Sequence, residues 1–248
     1  MASPSAAPLA LALGGAAGLA GLHTLAPPPA RAAETAVVQE ILDGKELYID
    51  EKQARVQARA TAPDVVSTRN SRGQLSFSSG AAGRLNRFSM LRLGSSCFLM
   101  SKGQILVSGR QNGCTRSARM SVRGTNYLIE VQEDGTSELS VLEGMVQVEP
   151  LRDGVPTGEA ATTVEAGQRL RISPTGVILA LLRLTAGDYT SILGGPLFSG
   201  FSSSLPGFGA LESYIRTSLP QVTLPSLPVA PAAPVTPVLP SIPRFGLF

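Results

Sequence analysis

Between Ala36 and about Leu184 the chain is a succession of short apolar–polar alternations separated by small-residue corners. Leu75 and Phe77 alternate with Gln74, Ser76 and Ser78, and Met120 and Val122 with Ser121 and Arg123. Tyr127, Ile129 and Val131 alternate with Asn126, Glu130 and Gln132, with Leu128 interrupting the polar side. A period of two sends successive side chains to opposite faces of a strand, one toward a core and one toward water. Between the runs lie Asp43-Gly44, Lys102-Gly103, Asp134-Gly135, Asp153-Gly154 and Pro174-Thr175-Gly176. Asp-Gly pairs suit tight hairpins because both central positions accept positive φ. The spacing predicts an all-β fold, an antiparallel β-sandwich or β-roll of short strands. Residues 51–62 read as a strand or as a helical turn.

The two ends differ from this core. Leu9 to Leu25 is an uncharged Ala/Leu/Gly run, followed by Pro27-Pro28-Pro29 and Ala30-Arg31-Ala32-Ala33. A small-x-small site after an apolar run marks a secretory signal peptide, here residues 1–33, with cleavage after Ala32 or Ala33. No Lys or Arg precedes the run; the alternative is an uncleaved membrane anchor. The expected location is periplasmic or extracellular. No later stretch reaches the roughly 18 apolar residues of a membrane span. The β-domain is assigned to 34–184 and a short helical or irregular extension to 185–219. In that extension Thr185–Leu193 forms one helix, and the spacing of Leu211, Tyr214, Ile215 and Leu219 gives a second. Residues 220–248 form a Pro-rich tail, extended and mobile, since proline fixes φ and donates no hydrogen bond. The tail is a spacer whose only bulky apolar cluster, Phe245, Leu247 and Phe248, is its docking candidate.

Few residues offer chemistry. The one histidine, His23, lies in the leader, which argues against Ser-His and Cys-His nucleophile pairs and histidine metal sites in the mature chain. No cofactor or metal site is expected, and no catalytic residue is assigned. A net charge of +3 without a Lys/Arg block gives no nucleic-acid footprint. Asp50/Glu51 and Glu133/Asp134 read as solvated turns. The only cysteines, Cys97 and Cys114, flank the apolar, hairpin-like stretch Phe98 to Val107. An even count in an exported chain favours a disulfide, the alternative being two buried free thiols. Arg123-Gly124-Thr125 is a candidate contact through Arg123, or a bend that Gly124 permits beside a solvated arginine. Glu143-Gly144 and Ala166-Gly167-Gln168 read as sharp changes of direction between strands.

Four pieces taken in order resemble the FecR-like domain family. They are Arg92-Leu93-Gly94-Ser95-Ser96, Val122 to Val131, Val141 to Val148 and Val164 to Leu170. The resemblance covers about Glu34 to Ile178, and Asn112-Gly113-Cys114-Thr115 with Cys97 looks like a cyanobacterial version. It implies a β-roll or sandwich outside the cytoplasmic membrane that binds without catalysis. The best-known members pass siderophore status to a sigma factor through a cytoplasmic segment and a transmembrane helix. Only about 33 residues precede the β-region here and they read as a leader, so that role is not carried over. The expected function is an envelope binding or signalling module, its partner an envelope protein or a cell-wall component. The alternative is a structural envelope protein whose tail engages cell wall or outer membrane.

Overall fold

In the computed structural model, which describes residues 33–225, the chain forms eighteen strands and two helices. Residues 1–32 and 226–248, among them the expected cleavage site and Phe245, Leu247 and Phe248, lie outside the described residues. The strands begin β1 (Thr35–Leu42), β2 (Leu47–Ile49), β3 (Lys52–Gln53), β4 (Arg59–Thr61), β5 (Val65–Thr68) and β6 (Arg72–Phe77). Next come β7 (Ala82–Leu85), β8 (Met90–Arg92), β9 (Phe98–Gly109), β10 (Gly113–Cys114), β11 (Ala118–Val122) and β12 (Thr125–Val131). Then follow β13 (Ser137–Glu143), β14 (Met145–Arg152), β15 (Val155–Pro156), β16 (Thr162–Glu165), β17 (Gln168–Ile172) and β18 (Ile178–Arg183). Helices α1 (Ala186–Leu193) and α2 (Phe208–Ser218) close the order. The ambiguous segment 51–62 thus contains two short strands, β3 and β4.

Apart from β15, which pairs only with the end of β14, the strands form two facing sheets. The front sheet runs β4-β1-β6-β7-β9-β12-β13-β17-β18, antiparallel throughout. The back sheet runs β3-β2-β5-β8-β9-β10-β11-β14-β16, antiparallel except where β9 meets β10. Only β9 belongs to both. Its first half pairs with β8 and β10, and from Gly103 onward it pairs with β12 and β7. Lys102-Gly103 is therefore not a hairpin turn, and Phe98–Val107 is one bent strand. At φ +79° Gly103 turns the chain from one sheet to the other. Phe98, Met100, Ile105 and Val107 consequently all reach the same core, although Met100 and Ile105 differ in parity. Asp43-Gly44 likewise joins β1 to β2 across the sheets, whereas Asp134-Gly135, Asp153-Gly154 and Gly176 turn hairpins.

The three glycine corners of the family-like pieces share this task. Gly124 carries the chain from back to front, Gly144 from front to back and Gly167 from back to front, all at positive φ. They meet on one rim. A Cβ on Gly144 would lie 2.5 Å from Thr125 Cγ2 and 2.9 Å from the Gly124 carbonyl oxygen, and the Ala166 N–H donates to the Gly144 carbonyl at 2.9 Å. The Cys97–Cys114 disulfide, Cα atoms 5.8 Å apart, ties the one parallel pairing, β9 with β10. Closing that loop contributes about 3 kcal/mol in the chain-entropy treatment.

The alternation is confirmed on the inner faces, where Val38, Leu75, Ile105, Tyr127, Ile129, Val141, Val148 and Leu170 share one core. On the outer face of the front sheet the expectation of water fails. Leu106, Leu128 and Leu142 form a second core there with Tyr189 and Leu193 of α1, Leu211 and Ile215 of α2, and Leu197, Phe198 and Leu205 between them. This accounts for Leu128 standing among polar neighbours. Val222 is 6% exposed in the same cluster, so the first residues assigned to the tail pack with the domain.

The polar residues of that face bind the α1–α2 connection. Arg84, with no exposed surface, donates to Gln74 Oε1 at 2.8 Å, the Leu197 carbonyl at 3.0 Å and the Ser203 carbonyl at 2.7 Å. Its guanidinium lies 4.3 Å from the centroid of Phe201. Arg72 donates to the Pro196 and Ser199 carbonyls, and Gln74 to the Ser204 carbonyl. Glu40 accepts from the N–H groups of Ser202 and Ser203. Burial pushes the Glu40 carboxyl up, but the serine donors outweigh it and hold the group below its ordinary value. Ser108 and Asn126 take the Gly207 N–H and carbonyl, each at 2.8 Å.

The corners can be ranked by substitution. At Gly124 (φ +58°) an added Cβ meets nothing within 4 Å, so Gly124→Ala should cost only the left-handed backbone penalty of about 1–2 kcal/mol. At Gly144 the added atom also strikes Thr125 and the Gly124 carbonyl, and Gly144→Ala should cost about 2–4 kcal/mol. Urea unfolding of both variants measures the difference, and equal losses would contradict the close approach of the two corners.

Candidate functional site

Strand registers on the back sheet align Tyr48 with Ser67, Ser67 with Met90, and Met90 with Lys102. The four side chains form a row across β2, β5, β8 and β9 on the face turned away from the core. With Arg69 and Phe88 they line a shallow depression of about 650 Å³. Arg69 stacks on Tyr48, its guanidinium carbon 5.1 Å from the ring centroid. Phe88 is 55% exposed and Met90 43%. Glu51 also lines the depression, and Lys102 Nζ lies 3.6 Å from Glu133 Oε1, so what the face offers a partner is the exposed apolar pair Phe88 and Met90 beside Arg69 and an amphipathic tyrosine.

Phe88 is held where it is. Its φ is +55°, rare for an aromatic residue, and it sits at the crossing from β7 to β8. Its N–H donates to the Arg69 carbonyl at 2.9 Å. On the other side Gly103 comes so close that a Cβ there would lie 2.8 Å from the Phe88 carbonyl oxygen and 2.5 Å from Ser89 Oγ. Beneath, Thr68 Oγ1 donates to the Asn86 carbonyl at 2.6 Å and accepts from the Ser89 N–H at 3.0 Å, while Ser89 Oγ accepts from the Gln104 N–H at 3.0 Å. Backbone conformations of this kind persist only where the surroundings over-determine them, and they concentrate at functional positions.

Asp43 links this corner to the outer face of the front sheet. Its carboxylate pairs with Arg72 at 2.6 Å and with Arg87, the neighbour of Phe88, at 2.9 Å. The Arg72 hydrogen bond, more than the partial burial that opposes it, and then Arg87, hold the Asp43 carboxyl down at about 2.

Of the residues picked out by sequence, Cys97 and Cys114 are brought together. Arg123 is exposed on the rim beside Gly124, a position that fits the solvated-bend reading as well as the contact reading. Phe245, Leu247 and Phe248 fall outside the described residues. Sequence reasoning missed Tyr48, Arg69, Phe88, Met90 and Lys102, because a row across four strands leaves no linear signature. The one local signal was Arg87-Phe88-Ser89, an aromatic residue between polar neighbours at a strand crossing. Among the described residues no group of three or more His, Cys, Asp or Glu side chains is placed to hold a metal ion, and no helix is long and apolar enough to cross a membrane.

The family model described as FecR protein matches residues 64–147, from β5 into β14 and through the centre of both sheets. Two crystal structures of a candidate anti-sigma factor from Parabacteroides distasonis ATCC 8503, at 2.50 and 1.65 Å resolution, are similar to this chain. Each is 19% identical with a TM-score of 0.39, over 48% of this chain and 59% of the other. This chain thus spans less than two thirds of the solved proteins it matches. No curated protein matches it.

The Asp43 pairing has a pH signature. A carboxyl depressed in the folded state contributes stability above its unfolded pKa, near 4, and loses it as pH falls through the folded value. The melting temperature of the native chain should therefore fall from about pH 4 toward pH 2. Asp43→Asn should melt lower at pH 7 and fall less steeply across that window. Parallel melting curves for the two chains would contradict the pairing.

Proposed function

We propose that the protein is an exported, non-enzymatic β-domain that acts by contact, as a binding or signalling module of the cell envelope. The observation that carries this reading is the row Tyr48–Ser67–Met90–Lys102 with Phe88 fixed at its edge. It is a rigid, exposed face of mixed apolar and charged groups on a framework of which residues 64–147 match FecR protein. Rigid anchors lose little freedom on binding, so more of their contact energy survives as affinity. The disulfide supports export, since such bridges persist in oxidising compartments, as does the small-x-small site at 30–33. The cysteine arrangement also supports the cyanobacterial version of the domain as its type. The single His23, placed in the leader, supports a mature chain without histidine chemistry. The partner that fits the face is an envelope protein or cell-wall component offering apolar groups to Phe88 and Met90.

Two measurements test this. Mass spectrometry of the protein recovered from cells should find the N-terminus at Ala33 or Glu34, and an intact Met1 terminus in the soluble cytosol would contradict export. Affinity capture from envelope extract should then compare the native chain with Phe88→Ser/Met90→Ser. The variant should melt within a few degrees of the native chain and recover its partner at least about tenfold less well, as loss of central anchors does. Undiminished capture would remove this face from the function.

A further inference from the structure

The outer edges of the two sheets are not alike. The front sheet ends on one side in β4, three residues long with exposed Arg59 and Thr61. The back sheet ends in β3, which is Lys52-Gln53, and in β16, which carries exposed Glu165. Short, charged edges of this kind are how sheets avoid adding strands. The fourth edge, β18, has the opposite character. It is six residues long, Ile-Leu-Ala-Leu-Leu-Arg, without proline or charge before Arg183. Val177, Leu179, Leu181 and Leu182 are each about half exposed there. Among the described residues only β17 pairs with it. Leu181 lies opposite the core residue Leu170, and Leu182 opposite Arg169 of the outer face. A row of unpaired backbone groups thus stands beside apolar side chains on both faces, which is the form of an acceptor for one more strand.

We propose that the acceptor is filled by the chain's own segment Arg244–Phe248. Between Pro225 and Pro243 a proline recurs at every third residue, so no run there can supply a strand's hydrogen bonds. Arg244-Phe245-Gly246-Leu247-Phe248 is the one stretch beyond Pro225 longer than two residues without proline. Its alternation is complementary: Phe245 and Leu247 share one face and cover Leu181 at the open end of the core, while Phe248 falls on the side of Leu182. The reach suffices. Residues 226–243 in a polyproline conformation extend about 55 Å at 3.1 Å each, against a domain diameter of roughly 40 Å. The size of the edge favours a tethered occupant over a second copy. One short strand pairing buries far less than the roughly 1,200 Å² that holds two separate molecules together, whereas a tether supplies an effective concentration on the order of millimolar.

The test is residue-resolved hydrogen exchange on the full chain, native and Phe245→Ser/Leu247→Ser. In the native chain the outward-facing amides of β18 should exchange about tenfold or more slowly than in the variant. The difference should be independent of protein concentration, with amides of β13 exchanging equally in both chains. Equal exchange at β18 would overturn the proposal. So would protection that grows with protein concentration, which would assign the edge to a second copy. Acceleration spread over β13 as well would also overturn it, because the segment would then support the whole fold rather than cap this edge.

Discussion

The buried guanidinium of Arg84 is the interaction on which the C-terminal third of the domain depends. It projects from the outer face of the front sheet, where an unpartnered charge would cost several kcal/mol. Three hydrogen bonds and the ring of Phe201 replace the water it loses. Burial lowers its pKa to about 10, which leaves it charged at neutral pH. Two of its acceptors, Leu197 and Ser203, belong to the α1–α2 connection, so the cost of burying the charge is met only when that connection is in place. Arg72, Gln74 and Glu40 bind neighbouring carbonyls and amides of the same connection. The second core can then close, since Leu106, Leu128 and Leu142 are covered by helices that this polar cluster holds against the sheet.

The two faces of the molecule follow from this division. The outer face of the front sheet is occupied by the protein's own helices. The outer face of the back sheet is open, and the row from Tyr48 to Lys102 lies there. Asp43 connects the two sides, pairing at once with Arg72 of the helix-holding cluster and with Arg87 beside Phe88. A contact residue on an edge turn would normally be mobile. Phe88 is instead fixed by backbone bonds, by the buried Thr68–Ser89 pair and by the close approach of Gly103, so the exposed ring is presented in a set position.

Much of this was legible in the sequence, and the failures have physical causes. The period-two runs locate β6, β11 and β12, and the corners at Gly124, Gly144 and Gly167 are where the chain changes direction. That these corners pass between sheets rather than turn hairpins depends on long-range pairing, which local pattern does not carry. Lys102-Gly103 shows the same limit: the dipeptide that marks a turn elsewhere here bends a continuous strand. Gln74 and Asn126 look solvent-facing because the alternation is blind to what covers a polar face. They donate to the backbone carbonyls of Ser204 and Gly207, 130 and 81 residues further along the chain. Leu128, out of phase with its neighbours, was the one local sign of a second core.

The most direct test is urea unfolding of Arg84→Ala combined with limited proteolysis. Removing the guanidinium leaves the Leu197 and Ser203 carbonyls and Gln74 Oε1 without a partner and opens a void beneath Phe201. Each buried acceptor left unsatisfied costs about 1–3 kcal/mol, so a loss of at least about 2 kcal/mol is expected, and new cleavage should appear between Leu197 and Gly207 under native conditions. A loss below about 0.5 kcal/mol, the size of an ordinary surface substitution, with no new cleavage in that loop, would contradict the account.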